Sequence, residues 1–220
     1  MPRLTDDMQQ GKLAGNFTYT GTRIDRLGAS EYTLVTIAVD ETSSVAGFDD
    51  QLREMLVTSV AACKRSPRSD NLLIRVVTFS SRHNKGVNEI HGFKPLSEID
   101  TSQYPDIRPG GMTPLCDACY SSIGAMNAYG KDLAENDYLA NAIAFIITDG
   151  GENDSTATMQ MVKDVCAQAL QEEVLESMIS ILIGINAENL RPVLEGFQRE
   201  AGINKYRDAG DVTEGALAKL

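Results

Sequence analysis

The sequence contains few of the residues from which disulfide-rich or zinc-bound scaffolds are built. Its 220 residues include four cysteines, two histidines and no tryptophan. Four scattered cysteines are too few for a disulfide framework of this size. The CxxC pair of Cys116 and Cys119 has no second pair with which to complete a structural zinc site. A redox role is one interpretation of this pair. A spacing of three residues places both cysteines on one face of a helix, which favours the interpretation that they pack in a core.

Long apolar runs and an excess of basic residues are also missing. The longest apolar runs, LVTIAV, AIAFII and ISILIGI, are much shorter than the ~20 residues that span a bilayer. The formal net charge of -11 argues against non-specific nucleic-acid binding, which needs a basic surface. The first residues, MPRLTDDMQQGKL, lack the apolar core of a secretory signal. We therefore expect a cytoplasmic protein that binds neither membranes nor nucleic acid.

Apolar strand patterns alternate with amphipathic helix patterns along most of the chain. Strands are predicted at residues 32–39, 72–79, 142–148 and 177–185, and helices at 48–64, from 113–114 onwards, at 157–173, at 188–199 and from 212. The β-branched run YTLVTIAV suits a strand that is buried on both faces. The alternation predicts an α/β fold with an open, mostly parallel sheet and helices on both faces.

Two less regular stretches precede and interrupt this pattern. Residues 1–30 are predicted to form an N-terminal extension, with residues 1–15 mobile and NFTYTGTRI a short hairpin around Gly21-Thr22. Residues 31–220 are predicted to form the main domain. Within it, NEIHGF is predicted as an antiparallel edge strand. The segment SEIDTSQYPDIRPGG, with its prolines and paired glycines, is predicted as a long loop.

Five oxygen-bearing side chains follow predicted strand ends or open a predicted helix: Asp40, Thr42, Ser44, Thr113 and Asp149. In open α/β sheets the ligand site lies beyond the carboxyl ends of the strands, where the strand order reverses. The five side chains meet there if the first and third predicted strands are neighbours, ~4.8 Å apart. Taken singly, each residue is also explained as a helix cap or a turn residue. Taken together, oxygen donors without imidazole or thiolate favour Mg²⁺ or Mn²⁺ over zinc.

At these residues the chain resembles the von Willebrand factor A (VWA) domain with its metal-ion-dependent adhesion site (MIDAS), in the intracellular bacterial or phage type of that family. The family pattern is Asp-x-Ser-x-Ser after the first strand, a threonine in a Gly-Gly-Thr-like loop and an aspartate in a Thr-Asp-Gly turn. The sequence has DETSS from Asp40, GGMTPL around Thr113 and ITDGG around Asp149, in the family's order. Thr42 stands where serine is commoner, and Met112 is inserted before Thr113.

The resemblance implies a Rossmann-like, doubly wound sheet of about six strands with Mg²⁺ or Mn²⁺ at its carboxyl edge. It also implies that Thr42 and Ser44 bind the cation directly, and that Asp40, Thr113 and Asp149 bind it directly or through water. A partner protein would complete the shell with an Asp or Glu carboxylate. Intracellular relatives often act beside ring-forming ATPases or in multiprotein assemblies, so a partner of that kind is expected.

Two other functions stay open on the sequence alone. An aspartate at a strand end is a possible nucleophile of a Mg²⁺-dependent phosphohydrolase, but Thr42 stands where such an enzyme needs a second acid. A metal-free scaffold that binds through its helices or through residues 1–30 is the other alternative. The pattern favours cation-dependent protein binding without enzymatic activity. We expect the remaining polar residues near the motifs to be solvated loop charges or surface histidines: Glu41, Asp117, Glu152, Asp154, His83 and His91.

Overall fold

One mixed β-sheet organises the fold. The computed structural model describes residues 7–171 and 174–209. The eight strands in these ranges are β1 (Met8–Lys12), β2 (Thr18–Thr22), β3 (Glu31–Asp40), β4 (Leu72–Phe79), β5 (Val87–Pro95), β6 (Leu139–Thr148), β7 (Ser177–Gly184) and β8 (Lys205–Asp208). Their order across the sheet is β1-β2-β5-β4-β3-β6-β7-β8. The segment from β4 to β8 is parallel, whereas β5 pairs antiparallel with β4 and β1 pairs antiparallel with β2. The predicted α/β class is confirmed, with eight strands instead of about six.

Four α-helices lie in the described ranges: α1 (Asp49–Lys64), α2 (Leu115–Ala134), α3 (Met159–Gln171) and α4 (Arg191–Ala201). Residues of α1 belong to one hydrophobic core, and residues of α2, α3 and α4 belong to a second one. All four helices agree with sequence predictions to within a few residues. The terminal helix predicted from residue 212 lies outside the described residues. None of the described helices is long and apolar enough to cross a membrane.

Strand β3 contributes to both cores, as its β-branched sequence predicts. Leu34 belongs to the core formed with α2, α3 and α4, and Val35 and Ile37 belong to the core formed with α1. Each such fully buried side chain contributes roughly 1.5–3 kcal/mol. The apolar run ends at Asp40, which is therefore the point where the strand reaches the edge of the sheet.

The N-terminal hairpin differs from its prediction. β1 and β2 pair with each other, so the turn lies at residues 13–17 and not at Gly21-Thr22. A Cβ added to Gly21 would lie 2.9 Å from the ring of Tyr129, whose hydroxyl donates a hydrogen bond to the Thr22 carbonyl. Gly21 therefore allows close packing and does not form a turn. Residues 8–12 form a strand, which corrects the expectation of a mobile terminus for that part.

The less regular strands lie at the two sides of the sheet. β5 was predicted as an antiparallel edge strand; it does pair antiparallel with β4, but it lies between β4 and β2, so the prediction that it forms an edge was wrong. β8 reads KYRD and is only partly buried, so no apolar run marks it, and charged side chains are typical of edge strands. β1 and β2 belong to the same sheet as the other strands. The division of the chain into residues 1–30 and 31–220 stays a prediction.

His91 is buried, which corrects its prediction as a surface histidine. Its Nε2 lies 2.9 Å from the Tyr104 hydroxyl, and its Nδ1 lies 3.0 Å from the Gly92 carbonyl oxygen. The His91 and Tyr104 rings also stack, with centroids 5.6 Å apart. Burial lowers the pKa of His91 to about 4, and the nearby charge of Lys94 adds to this effect. The neutral ring therefore links β5 to the loop that follows it.

We expect the His91 imidazole to stay neutral down to about pH 5. Because its pKa is near 6.5 in an unfolded chain, the unfolded state takes up the proton first. The stability from this residue is therefore complete above pH 6.5 and falls as the pH drops towards 4. Imidazole NMR signals measured against pH test this, with His83→Gln identifying the second histidine. A His91 signal that titrates near pH 6.5 would contradict the expectation.

Candidate metal centre

The candidate site lies where the strand order reverses. β4 pairs with β3 on one side, and β6 pairs with β3 on the other. Val39 is aligned with Ile147, so the carboxyl ends of β3 and β6 lie side by side. Asp40 is the last residue of β3, and Asp149 directly follows β6. The structure thus brings the two predicted carboxylates to one edge of the sheet, at its switch point.

Asp40 is fully buried, and both of its carboxylate oxygens accept hydrogen bonds. Oδ1 accepts from the Thr42 backbone N–H at 2.8 Å, and Oδ2 accepts from Thr148 Oγ1 at 2.6 Å. Burial raises the pKa of Asp40 to about 6; the hydrogen bonds oppose the rise and the Asp149 charge adds to it. Burial also raises the pKa of Asp149. The surroundings of both carboxylates therefore disfavour negative charge, which a cation would stabilise.

A chain of hydrogen-bonded oxygens leads from Thr42 to Asp149. Thr42 Oγ1 lies 2.9 Å from Ser44 Oγ, and Ser44 Oγ donates to Asp149 Oδ1 at 2.7 Å. Either hydroxyl can be the donor in the first of these bonds. Thr42 is buried, whereas Ser44 is exposed and Asp149 is half-buried. The chain therefore runs from the interior to a surface that another molecule can reach.

The loop before α2 is fixed beside this chain by backbone contacts. The N–H and the Oγ of Ser43 both donate to the Gly111 carbonyl, at 3.1 and 3.0 Å. Gly111 has a φ of 78°, in the left-handed region that favours glycine. Met112, the residue inserted relative to the family pattern, donates its N–H to Ser81 Oγ at 2.9 Å and accepts from the Ser81 N–H at 3.0 Å. The loop thus accommodates the extra residue.

The Thr113 hydroxyl lies next to the same edge. Its Oγ1 is 3.3 Å from the position that a Cβ would occupy on Gly150, and Ser44 Oγ is 3.9 Å from that position. Gly150 directly follows Asp149, so Thr113, Ser44 and Asp149 surround one small volume. All five residues predicted from the sequence therefore lie together at the carboxyl edge of β3 and β6.

The Thr113 backbone is held by a residue that sequence reasoning missed. Asn153 Oδ1 accepts from the Thr113 N–H at 2.6 Å, and the Asn153 N–H donates to the Thr113 carbonyl at 3.1 Å. A single asparagine in a loop carries no pattern that could have identified it. Thr113 was predicted to cap α2, but this helix begins at Leu115 with Pro114 in the cap position. The Thr113 hydroxyl therefore makes no cap hydrogen bond.

The donor set at this edge fits a hard divalent cation. An octahedral Mg²⁺ shell with a radius of about 2.0–2.1 Å places neighbouring ligand oxygens about 2.9 Å apart. The Thr42–Ser44 and Ser44–Asp149 oxygen pairs, at 2.9 and 2.7 Å, have this spacing. Within residues 7–171 and 174–209, no three histidine, cysteine, aspartate or glutamate side chains form a group that could hold a metal. A cation at this edge would therefore depend on hydroxyl oxygens.

Three acids that were expected to be solvated loop charges instead hold the surrounding loops. Glu41 is buried, and its Oε2 lies 2.8 Å from His83 Nε2. Asp117 is 1% exposed and accepts from two backbone N–H groups in the segment before α3. Glu152 Oε2 accepts from the Cys116 N–H at 2.6 Å. The prediction was wrong for these acids because their partners lie far away in the sequence.

The CxxC pair packs in the core. Cys116 and Cys119 are buried free thiols in α2. Burial raises the pKa of Cys116 to about 12, and the Glu152 charge adds to the rise; burial also raises the pKa of Cys119. Such thiols form little of the reactive thiolate at neutral pH. The core-packing interpretation of the pair is confirmed.

Solved structures of adhesive and pilus proteins have a similar fold. The pilus adhesin SpaC from Lactobacillus rhamnosus GG, in its open conformation, matches with a TM-score of 0.60 and 11% identity, over 97% of this chain and 33% of the adhesin. The minor pilin PilB from Streptococcus sanguinis matches with a TM-score of 0.57 and 14% identity, over 90% and 61% of the two chains. Proximal thread matrix protein 1 (PTMP1) from the mussel byssus, with a zinc-occupied MIDAS motif, matches with a TM-score of 0.52 and 12% identity, over 88% and 46%.

These similarities concern the fold alone, because the identities are between 11% and 14%. The present chain spans between a third and about three fifths of the length of these proteins. No family model matches the chain, and no curated protein sequence matches it.

Proposed function

We propose that this protein is a divalent-cation-dependent protein-binding module of the VWA type, whose MIDAS captures a carboxylate of a partner protein. Asp40, Thr42, Ser44, Thr113 and Asp149 would hold Mg²⁺ or Mn²⁺. The bound cation would supply the positive charge to which an Asp or Glu side chain of the partner binds. A Rossmann-like, doubly wound description of the sheet is part of the same proposal.

The observation that carries this proposal is the hydrogen-bonded row of oxygens from Thr42 through Ser44 to Asp149. Its spacing, which is that of ordinary O–H···O hydrogen bonds, is compatible with adjacent ligands around Mg²⁺, and Ser44 in its middle is exposed. Mg²⁺ rarely takes all of its ligands from one protein and retains positions for water or for groups of another molecule. A carboxylate from a partner is a suitable ligand for such a position.

Binding is favoured over phosphohydrolase chemistry by the surroundings of Asp40. A nucleophilic carboxylate must reach its substrate, but Asp40 is 0% exposed and both of its oxygens are engaged by Thr42 and Thr148. Thr42, which stands where a second acid would be needed, has a hydroxyl that does not titrate near neutral pH. We therefore propose a binding role without enzymatic activity.

The similar structures support the proposal only through the fold that they share with this chain. PTMP1 is described with a zinc-occupied MIDAS motif, and we extend a cation site to this chain as a proposal. The oxygen donors found here favour Mg²⁺ or Mn²⁺ over zinc. A cytoplasmic location belongs to the same proposal, as does a ring-forming ATPase or multiprotein assembly as the partner, which the sequence resemblance implies.

We expect chelator-stripped protein to bind one Mg²⁺ or Mn²⁺, and the Asp149→Ala variant to bind at least about 100-fold more weakly. Loss of a residue that only hydrogen-bonds to a metal ligand already costs metal sites about 10–100-fold in affinity, and Asp149 is proposed as a ligand itself. Calorimetric titration to millimolar cation concentrations measures the affinity. Mn²⁺-induced broadening of the amide signals near Thr42 and Ser44 detects weaker binding and locates it.

Asp154→Ala is the matched control, because Asp154 is exposed and lies in the loop that follows Asp149. This variant should bind the cation like the parent protein. Equal affinity in the parent and in Asp149→Ala would place the cation elsewhere. If neither calorimetry nor Mn²⁺ broadening detects binding by the parent, the cation-dependent function is wrong and the metal-free scaffold is favoured.

A further inference from the structure

Exposed large hydrophobic residues gather around the candidate cation site. Such residues in the described part of the chain are Met112 (51% exposed), Leu139 (53%), Leu190 (37%) and Val193 (52%). Single exposed apolar residues are normal on a protein surface. Three of these four, however, lie at the carboxyl edge of the sheet, and only Leu139 lies at the opposite end, where β6 begins. It is therefore their shared position beside the candidate site, and not their exposure alone, that points to an interaction surface.

Met112 and Val193 lie on different sides of the site. Met112 directly precedes Thr113 and is held by two hydrogen bonds to Ser81, just beyond the end of β4. Val193 lies in the first turn of α4, after β7, and its Cγ1 is 3.2 Å from the position of a Cβ on Gly151. Because β3 and β6 lie between β4 and β7, the candidate site is located between the two apolar side chains.

The separation of the two side chains suits a short extended segment. The strand ends beside which they lie, β4 for Met112 and β6 or β7 for Val193, are two to three strand spacings apart, which corresponds to ~10–14 Å. Four residues of extended chain span ~13 Å, and residues at positions i−2, i and i+2 point to the same side. A carboxylate at the middle position would face the cation, and side chains two positions before and after it would face Met112 and Val193.

Positive charge near Met112 complements an acidic segment. Arg82 lies against the loop at Gly110 and Gly111, and its side chain is 44% exposed. The guanidinium also lies 3.5 Å from Glu41 and donates to the Arg108 carbonyl. Arg82 is therefore fixed at the rim, where Glu41 offsets part of its charge and the exposed part of its side chain faces an incoming carboxylate.

We infer that Met112 and Val193, with Leu190 beside Val193, form a docking surface for an extended protein segment whose acidic residue is flanked at positions −2 and +2 by apolar residues. The inference rests on the proposed function and specifies the partner's sequence class. The cation fixes the acidic residue, and the apolar rim selects its neighbours.

Peptides centred on Leu-Ser-Asp-Ser-Leu, Ser-Ser-Asp-Ser-Ser and Leu-Ser-Asn-Ser-Leu test the inference. Each is titrated to millimolar concentrations into Mg²⁺-loaded protein carrying methyl-labelled methionine, with a chelator-treated sample as reference. We expect the leucine-flanked Asp peptide to bind about tenfold more tightly than the serine-flanked one, as two partly buried apolar side chains would predict. The Met112 methyl signal should shift on binding, and the Asn peptide should not bind.

Serine substitutions in the docking surface test whether its apolar side chains contribute to peptide binding beyond the contact between the cation and the carboxylate. Met112→Ser and Val193→Ser should each weaken binding of the leucine-flanked Asp peptide about threefold, half of the tenfold difference in free-energy terms, with little effect on the serine-flanked one. Leu139→Ser makes the same change at the far end of the sheet and should have no effect. All three residues are exposed, so the variants are expected to fold.

The outcomes separate failure of this inference from failure of the proposed function. If both Asp peptides bind with equal affinity and only in the presence of Mg²⁺, the inferred docking surface is wrong and the proposed cation-dependent function is supported. Equal binding of the Asp and Asn peptides, with or without chelator, overturns both. If no methyl signal shifts with any peptide, the docking surface is wrong, and the cation titrations of the Asp149→Ala variant decide separately about the metal site.

Discussion

Replacement of Asp40 by asparagine is expected to abolish cation binding and, at the same time, to stabilise the metal-free protein. The pKa of Asp40 rises from its ordinary value of 3.8 to about 6, mainly through burial. At neutral pH the folded protein therefore holds a carboxylate that its surroundings disfavour. Each pKa unit corresponds to about 1.4 kcal/mol, so we expect the neutral amide to raise the free energy of unfolding by about 2–3 kcal/mol.

The hydrogen bonds at this position permit the change. In the Asp40→Asn variant the amide oxygen can still accept from the Thr42 N–H, and the amide nitrogen can donate to Thr148 Oγ1. Thr148 Oγ1 already lies 3.0 Å from the Gly150 carbonyl oxygen, so its own proton has an alternative acceptor. The substitution therefore keeps a hydrogen-bond partner for the amide oxygen and for the amide nitrogen, although these contacts provide no acceptor for the second amide N–H; an unpaired buried group costs about 1–3 kcal/mol.

Urea unfolding at pH 7.5 in the presence of chelator, together with Mg²⁺ calorimetry, measures both effects of Asp40→Asn. The cation affinity should fall at least about 100-fold, because loss of a residue that only hydrogen-bonds to a metal ligand already costs up to that factor. Asp50→Asn, on the exposed first turn of α1, is the matched control and should bind the cation like the parent. A variant that is less stable than the parent would contradict the expectation that the buried Asp40 carboxylate destabilises the metal-free protein. A variant that still binds Mg²⁺ with the parent's affinity would contradict the role of Asp40 in the cation site.

Replacement of Glu89 by glutamine is expected to destabilise the protein by about 3–5 kcal/mol, the usual loss when one partner of a buried ion pair is removed. Arg75 is fully buried in β4, and its Nε donates to Glu89 Oε2 at 2.6 Å. The same guanidinium contacts Ser121 of α2, and Glu89 Oε1 accepts from the Thr20 hydroxyl at 2.6 Å. The pair thus joins β2, β4, β5 and α2. Without the carboxylate, Arg75 is left as an uncompensated buried charge.

Thermal and urea unfolding test the Glu89→Gln variant, with an expected decrease in Tm of about 10 °C for a chain of this length. Glu195→Gln makes the same chemical change in the exposed Arg191–Glu195 pair, and it should leave Tm unchanged because surface pairs contribute little. An equal effect of the two substitutions would show that the buried pair has no special role. A normal cation titration of Glu89→Gln would establish that its effect concerns stability and not the candidate site.

The amino-acid sequence by itself determined the strands and helices whose side chains have a regular pattern of burial. β3 and β4 are largely apolar and β-branched runs, interrupted in β4 by Arg75, and the apolar residues of α1 recur at helical spacing, so local patterns were sufficient. The sequence also indicated which oxygen-bearing residues follow strand ends. The candidate site could be proposed in this way because the carboxyl ends of neighbouring parallel strands meet at one edge.

Only the tertiary structure decided which elements are neighbours and which polar residues are paired. β5 lies inside the sheet because β2 pairs with it. In the sequence β2 precedes β3 and β4, whereas β5 follows them, so no local pattern connects the two strands. Glu41, Asp117 and Asn153 hold loops through hydrogen bonds to residues about 40 or more positions away. The exposure of Met112 beside Thr113 likewise depends on its pairing with Ser81. Local patterns report the burial of each element, but such long-range contacts are formed only when the elements pack together.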